Sequence, residues 1–363
     1  MLRLLAYTYS LGTIRARGGR EKGQSEVDVL DTLLANLTDE TEMLSVAKLY
    51  LLSGLDKSQV ERVRAVWPTI PGDRRKAIIG HLADLSESNF EVDFGSIFRI
   101  GLTDSEPEVR VGSIEGLWIE DDVALIKPLV DLMQNDGAEE VRAAAAGSLG
   151  RFVLAGELEE IPPARGEAVV DVLREVIEDT TETVEVRRRA IEAIGYSSAD
   201  GVPELIGDAY GDMDDRMRIS AVYAMGRSAD PRWADRVLGE VESSIPEMRY
   251  EAARACGELQ NPGALPALKR LLDDPDDQVR EASVWAMGQI GGGESRRLLV
   301  AILEDEEAED LHEVAEEALE ELEFLGGDTF DLARFGELDD DDVGEFGLDE
   351  DDGDGRGKTD TDD

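Results

Sequence analysis

Val279-Arg280-Glu281-Ala282-Ser283-Val284-Trp285-Ala286-Met287-Gly288 is one of six copies of a ten-residue pattern, and that recurrence decides the fold. The others read VRVGSIEGLW from Val109, VRAAAAGSLG from Val141, VRRRAIEAIG from Val186, MRISAVYAMG from Met217 and MRYEAARACG from Met248. The second residue is always arginine: Arg110, Arg142, Arg187, Arg218, Arg249 and Arg280, at spacings of 32, 45, 31, 31 and 31 residues. A fixed period near this length predicts a helical solenoid, whose core lies between stacked units.

At about 100° per residue, pattern positions 1, 5, 8 and 9 share one helix face. They hold Val or Met, then small residues, then Leu, Met, Ile or Cys. Small side chains at positions 5 and 8 let helices approach closely, and the larger ones fill the seam. The closing glycine predicts a left-handed cap. Asp104, Asp136, Asp212 and Asp274 stand six residues before four of the arginines. The adjacent aspartates predict a structural role for these arginines rather than a row of anion-binding sites.

Outward from the pattern, each unit gains a first helix and a short acidic turn. ALIKPLVDLMQ, VPELIGDAYG and ALPALKRLLDD place Pro128, Pro203 and Pro266 in an opening turn or two, where a missing N–H costs little. Turns such as LTDSEPEVR and LDDPDDQVR offer aspartates to cap the second helix. The 45-residue gap implies an insertion of about 14 residues at VLAGELEEIPPARG, Val153–Gly166, read as a longer surface loop broken by Pro162 and Pro163.

The pattern divides the chain into four parts. Residues 1–24 form a loosely ordered lead-in, 25–100 degenerate or capping repeats in which Asp73 can cap a helix, and 101–326 the regular array. Residues 327–363 form an acidic tail, too poor in apolar residues to fold alone, whose TFDLARF segment is its one amphipathic piece.

Acidic residues number 83 against 37 basic ones, a net charge of −46. Such a field repels nucleic acid and anionic membranes. Only 7 of the 37 cations are lysine, a balance compatible with a high-salt habitat or with a soluble acidic surface alone. No apolar run approaches a membrane span, and the opening stretch lacks a clear cleavage site. Cys256, at a core position, is the single cysteine, so no disulfide is possible within the chain. These features predict a cytoplasmic monomer.

The sequence shows little chemistry. His81 and His312 are the two histidines, far apart, and no His/Cys spacing suggests a metal site. GQIGGGES lacks the lysine and preceding strand of a phosphate loop, and the tail's aspartate run lacks the spaced ligands of a calcium loop. No catalytic, cofactor or metal residues are assigned, and the expectation is a protein that is not an enzyme.

The six copies resemble HEAT repeats, and the short period is similar to the HEAT-like repeats of the phycobilin lyase group. The resemblance covers 101–326 well and 25–100 weakly. It implies an all-α, right-handed α-solenoid of HEAT-like hairpins, with second helices lining a concave surface. It implies a non-catalytic scaffold or adaptor for a protein partner, or alternatively a lyase-type subunit handling a bilin chromophore. Positions 3 and 7 of the later copies would lie on that surface: Arg188, Ile219, Tyr223, Tyr250, Arg254 and Trp285. Tyr, Trp and Arg are enriched in interface hot spots, and the surrounding carboxylates suit a partner with a basic face. The same side chains would also suit packing between neighbouring repeats, and both readings stay open on sequence.

Overall fold

The computed structural model describes residues 25–334, all in helices, turns and loops, with no strand among them. The α-helices are α1 Ser25–Thr38, α2 Val46–Leu49, α3 Lys57–Val66, α4 Gly72–Ser88, α5 Gly95–Gly101 and α6 Pro107–Gly116. They continue with α7 Ile126–Asn135, α8 Glu139–Glu157, α9 Pro163–Glu178, α10 Val184–Ile194, α11 Val202–Tyr210 and α12 Asp215–Arg227. The remainder are α13 Ala234–Glu240, α14 Pro246–Glu258, α15 Leu265–Leu271, α16 Asp277–Ile290, α17 Gly292–Glu304 and α18 His312–Arg334. From α5 onward each odd-numbered helix pairs with the following even-numbered one, and each even-numbered helix packs on the next even-numbered one through to α18. The result is an all-α solenoid with a spine of second helices.

The spine is close because of its small residues. Positions 1 and 5 are fully buried in every copy, as in Met217 and Ala221 or Met248 and Ala252. Position 6 is buried as well, at Ile114, Ala146, Ile191, Val222, Ala253 and Val284. A second helix meets its own first helix and both neighbouring spine helices, so its buried arc is wider than one amphipathic stripe.

The closing glycines are not left-handed caps. Gly195 has φ −56°, and Gly226, Gly257 and Gly288 lie inside their helices. Their role is contact: a Cβ on Gly195, Gly226 or Gly257 would stand 2.8, 2.9 and 2.8 Å from the Cα of Ala224, Ala255 and Ala286. Each is the position-8 alanine of the next copy. The left-handed residues follow later, at Ala229 and Gln260.

The arginine ladder runs between repeats. Arg110 donates to the carbonyl of Asp104 in its own copy (2.7 Å) and, through Nε and Nη2, to the carboxylate of Asp136 in the next (2.7 Å each). Arg75–Asp104, Arg142–Glu182, Arg249–Asp274 and Arg280–Asp310 repeat the forward link. Asp104, Asp136 and Asp274 also accept the N–H two residues on, which shapes the turn into the second helix. The ladder breaks in the middle. Ser243 stands where the carboxylate for Arg218 would be, and Arg218 pairs within its own helix with Asp215. Arg187 turns to the carbonyl of Ile177.

Three local expectations change. The insertion is mostly helix: α8 and α9 reach 19 and 16 residues, crossing where Gly156 and Gly166 touch, with a short link between. Asp73 sits in the first turn of α4 behind Pro71 and does not cap it. Capping by side chain occurs at Thr183, Asp214 and Asp276 but not before α6, α8 or α14. The backbone of α18 runs on through Gly326 and Gly327 to Arg334. Phe335 and the rest of the acidic tail, like the lead-in 1–24, lie outside the described residues.

Candidate functional site

The residues singled out at positions 3 and 7 are half-buried on the spine from α10 to α16. Arg188 pairs with Glu185 (2.7 Å) and Glu192 (3.0 Å). Ile219 and Tyr250 pack against the core. The Tyr223 hydroxyl lies 3.5 Å from that of Tyr196. The Arg254 guanidinium stacks over the Trp285 ring at 3.9 Å.

The contacts, however, run along positions 4, 7 and 11. Sequence reasoning missed Tyr196, Arg227 and Glu258, all at position 11. Arg227 stands over both tyrosine rings, at 4.9 Å from Tyr223 and 5.8 Å from Tyr196, and pairs with Glu258 at 3.0 Å. Gln289, one repeat on, donates to Glu321 at 2.8 Å. A signal for them exists: the 4, 7, 11 spacing is a continuous stripe on a helix, but it passes the closing glycine, where the ten-residue pattern ends. Position 4 supplies Ser220 and Glu251. The Trp285 indole N–H is buried without a hydrogen-bond acceptor among the described residues.

Burial dominates the electrostatics here. It pushes the Tyr223 hydroxyl far above its ordinary range, with Tyr196 adding to the effect. It raises the Glu258 carboxyl against the pull of Arg227 and Arg254. Glu251 is pushed up to about 7, first by burial and then by the negative charge of Glu192. Cys256 is fully buried, and burial raises its thiol to about 12, as for a packing residue.

Two clefts lie elsewhere. One of about 510 Å³ opens beside the lengthened α8–α9 pair, where Glu157 is already bonded to Ser197 and Ser198. The other, about 640 Å³, lies between α15 and α17 beside the Arg280–Asp310 pair. Among the described residues no group of three or more His, Cys, Asp or Glu side chains is placed to hold a metal ion. No described helix is long and apolar enough to cross a membrane.

Residues 235–320 match the family model described as HEAT repeats. The ten-residue pattern of that region recurs from Val109 onward, so the likeness to HEAT repeats extends beyond the matched residues. A curated relative, deoxyhypusine hydroxylase of Eremothecium gossypii, is 27% identical over 199 residues. The match covers 49% of this chain and 62% of that protein, so the chain spans less than two thirds of the relative's length. Human deoxyhypusine hydroxylase, solved with glycerol, aligns at 19% identity over 82% of this chain and 97% of its own, with a TM-score of 0.31. Yeast importin-beta aligns at 12% identity over 81% of this chain and 46% of its own, with a TM-score of 0.48. These superpositions are loose and carry no argument about function.

The curated relative corrects one expectation. The sequence predicts a chain that is not an enzyme, yet half of the chain is related to a protein named for a hydroxylation. The reason for the error is physical. The repeated residues define helix packing, and packing residues serve a catalytic solenoid and a binding solenoid alike.

Proposed function

We propose that the chain is a repeat scaffold that binds a basic segment of a protein partner along the spine from α10 to α16. The observation that carries this reading is the stripe of Tyr223, Tyr250, Arg254 and Trp285 on successive second helices of a chain with net charge −46. In a curved stack the more tightly spaced layer lies inside. The glycine–alanine contacts tighten the spine, while α11, α13, α15 and α17 pack chiefly on their hairpin partners and α9 is shared between α8 and α10. The spine is therefore the concave side in this reading. Arg227 stacks on Tyr223 and Arg254 on Trp285, which restrains those two rings and lowers the entropy lost on binding.

The test is fluorescence anisotropy with labelled lysine- and arginine-rich peptides, against acidic controls of equal length. Basic peptides should bind, and Tyr250→Ala should weaken them by on the order of tenfold or more at a temperature where the variant, which also loses packing against the core, remains folded. Equal affinity for both peptide classes, or none for either, contradicts the proposal.

A second reading rests on the curated relative alone: hydroxylation of deoxyhypusine or of a similar modified lysine. Incubation with a deoxyhypusine-bearing substrate protein, followed by mass spectrometry, tests it. Gain of one oxygen atom supports it, and an unchanged mass under conditions where the relative is active contradicts it.

A further inference from the structure

Glu251, on α14, makes no hydrogen bond and no ion pair among the described residues. The repeat register explains why. Its counterpart one repeat earlier, Ser220, donates to Glu192 at 2.5 Å and accepts from Arg188 at 3.4 Å, both on α10. The residues at the Arg188 and Glu192 positions of α12 are Ile219 and Tyr223. Glu251 thus has apolar and aromatic surface where Ser220 has charged partners.

The charges around it do not make good the loss. Glu192 from α10 and Glu258 from α14 add negative potential, which Arg227 from α12 and Arg254 from α14 only partly offset. Arg227 is paired with Glu258 and stacked on the tyrosines, and Arg254 is stacked on Trp285. Burial without a counter-ion raises the carboxyl to about 7. A half-buried carboxyl lacking a partner is costly, and a site that keeps one is a candidate for supplying it to a ligand.

We propose that Glu251 is the anchor for a cationic side chain, lysine or arginine, of the basic segment bound on this face. The proposal rests on the surface reading above and adds the specific seat. The alkyl stem of the incoming residue lies along Ile219 and Tyr223, and its charged head meets the carboxylate. Tyr223 and Trp285 already hold Arg227 and Arg254 on their rings, so the incoming cation is assigned to the Glu251 carboxylate.

Binding there ionises Glu251, which releases a proton. Isothermal titration of the full chain with hexalysine at pH 7, in two buffers of different ionisation enthalpy, measures that release. The expected value is about half a proton per chain, since a group of pKa about 7 is half protonated at that pH. Glu251→Gln should abolish the release and weaken hexalysine by on the order of tenfold or more. Should the variant not fold, the wild-type release tests the assignment alone. Binding without proton release, or unchanged in Glu251→Gln, overturns the anchor and leaves the surface reading standing. No binding of hexalysine overturns both.

Discussion

Gly257 lies against Ala286: a methyl group placed on the glycine would stand 2.8 Å from the alanine Cα. The same relationship joins Gly150 to Ala193, Gly195 to Ala224, Gly226 to Ala255 and Gly288 to Ala318. It sets the pitch of the spine, because neither backbone can yield without moving a whole helix.

Gly257→Ala should therefore destabilise the protein, by about 1–3 kcal/mol, as overpacked cores do. Gly147, in the interior of α8, has nothing within 4 Å of its would-be Cβ. Gly147→Ala should be neutral or stabilise by up to about 1 kcal/mol through helix propensity. Urea titrations of the two variants separate the cases, and equal effects would remove the contact account of the glycines.

The ladder gives a second contrast. Asp136 is largely buried against Arg110, whereas the Arg270–Glu242 pair is open to solvent, with side chains 61% and 71% exposed. Asp136→Ala leaves Arg110 without its carboxylate and should cost about 3 kcal/mol. Glu242→Ala should cost less than about 0.5 kcal/mol. Denaturation midpoints measured in parallel check the ordering.

The same carboxylates fix the acid limb. Hydrogen bonds from Arg249 hold Asp274 below its ordinary range; at Asp136 burial acts upward, but the bonds from Arg110 and the Ala138 N–H outweigh it. A depressed carboxylate stabilises above its unfolded pKa, near 3.9, and that contribution fades as pH falls through the lower folded value. The thermal midpoint should decline below about pH 4, and less steeply in Asp274→Asn than in wild type.

Glu251 carries the opposite sign. Its folded pKa is raised to about 7, so ionisation opposes folding as pH rises from the unfolded value toward and past 7. Glu251→Gln should raise stability at pH 8 by up to about 3 kcal/mol, since each tenfold change in proton affinity is worth about 1.4 kcal/mol. At pH 4 the two proteins should melt alike. A variant less stable than wild type at pH 8 would show that the carboxylate is paired in solution.

The repeat itself was legible because Val, Arg, Ala and Gly recur at one spacing and fix both the core face and the ladder. What escaped was relational. The role of Gly226 depends on Ala255 in the next repeat, which no single copy displays. The carboxylate that meets Arg110 is Asp136 of the following turn, while Asp104 gives it a carbonyl. The face holding Tyr223 continues past the closing glycine to Arg227, so Tyr196 and Glu258 were overlooked. The state of Glu251 follows from Ile219 and Tyr223 in the previous copy, and it emerges only when neighbouring copies are compared in register.

The central question is which face of the solenoid receives a basic segment. Photo-crosslinking of the full chain with lysine-rich peptides carrying benzoylphenylalanine at successive positions, mapped by mass spectrometry, reads that face directly. Binding along the spine predicts crosslinks within α12, α14 and α16, near Tyr223, Tyr250 and Trp285, and their loss in Tyr250→Ala. Crosslinks confined to the odd-numbered helices, or to the cleft between Glu157 and Asp200, would contradict it.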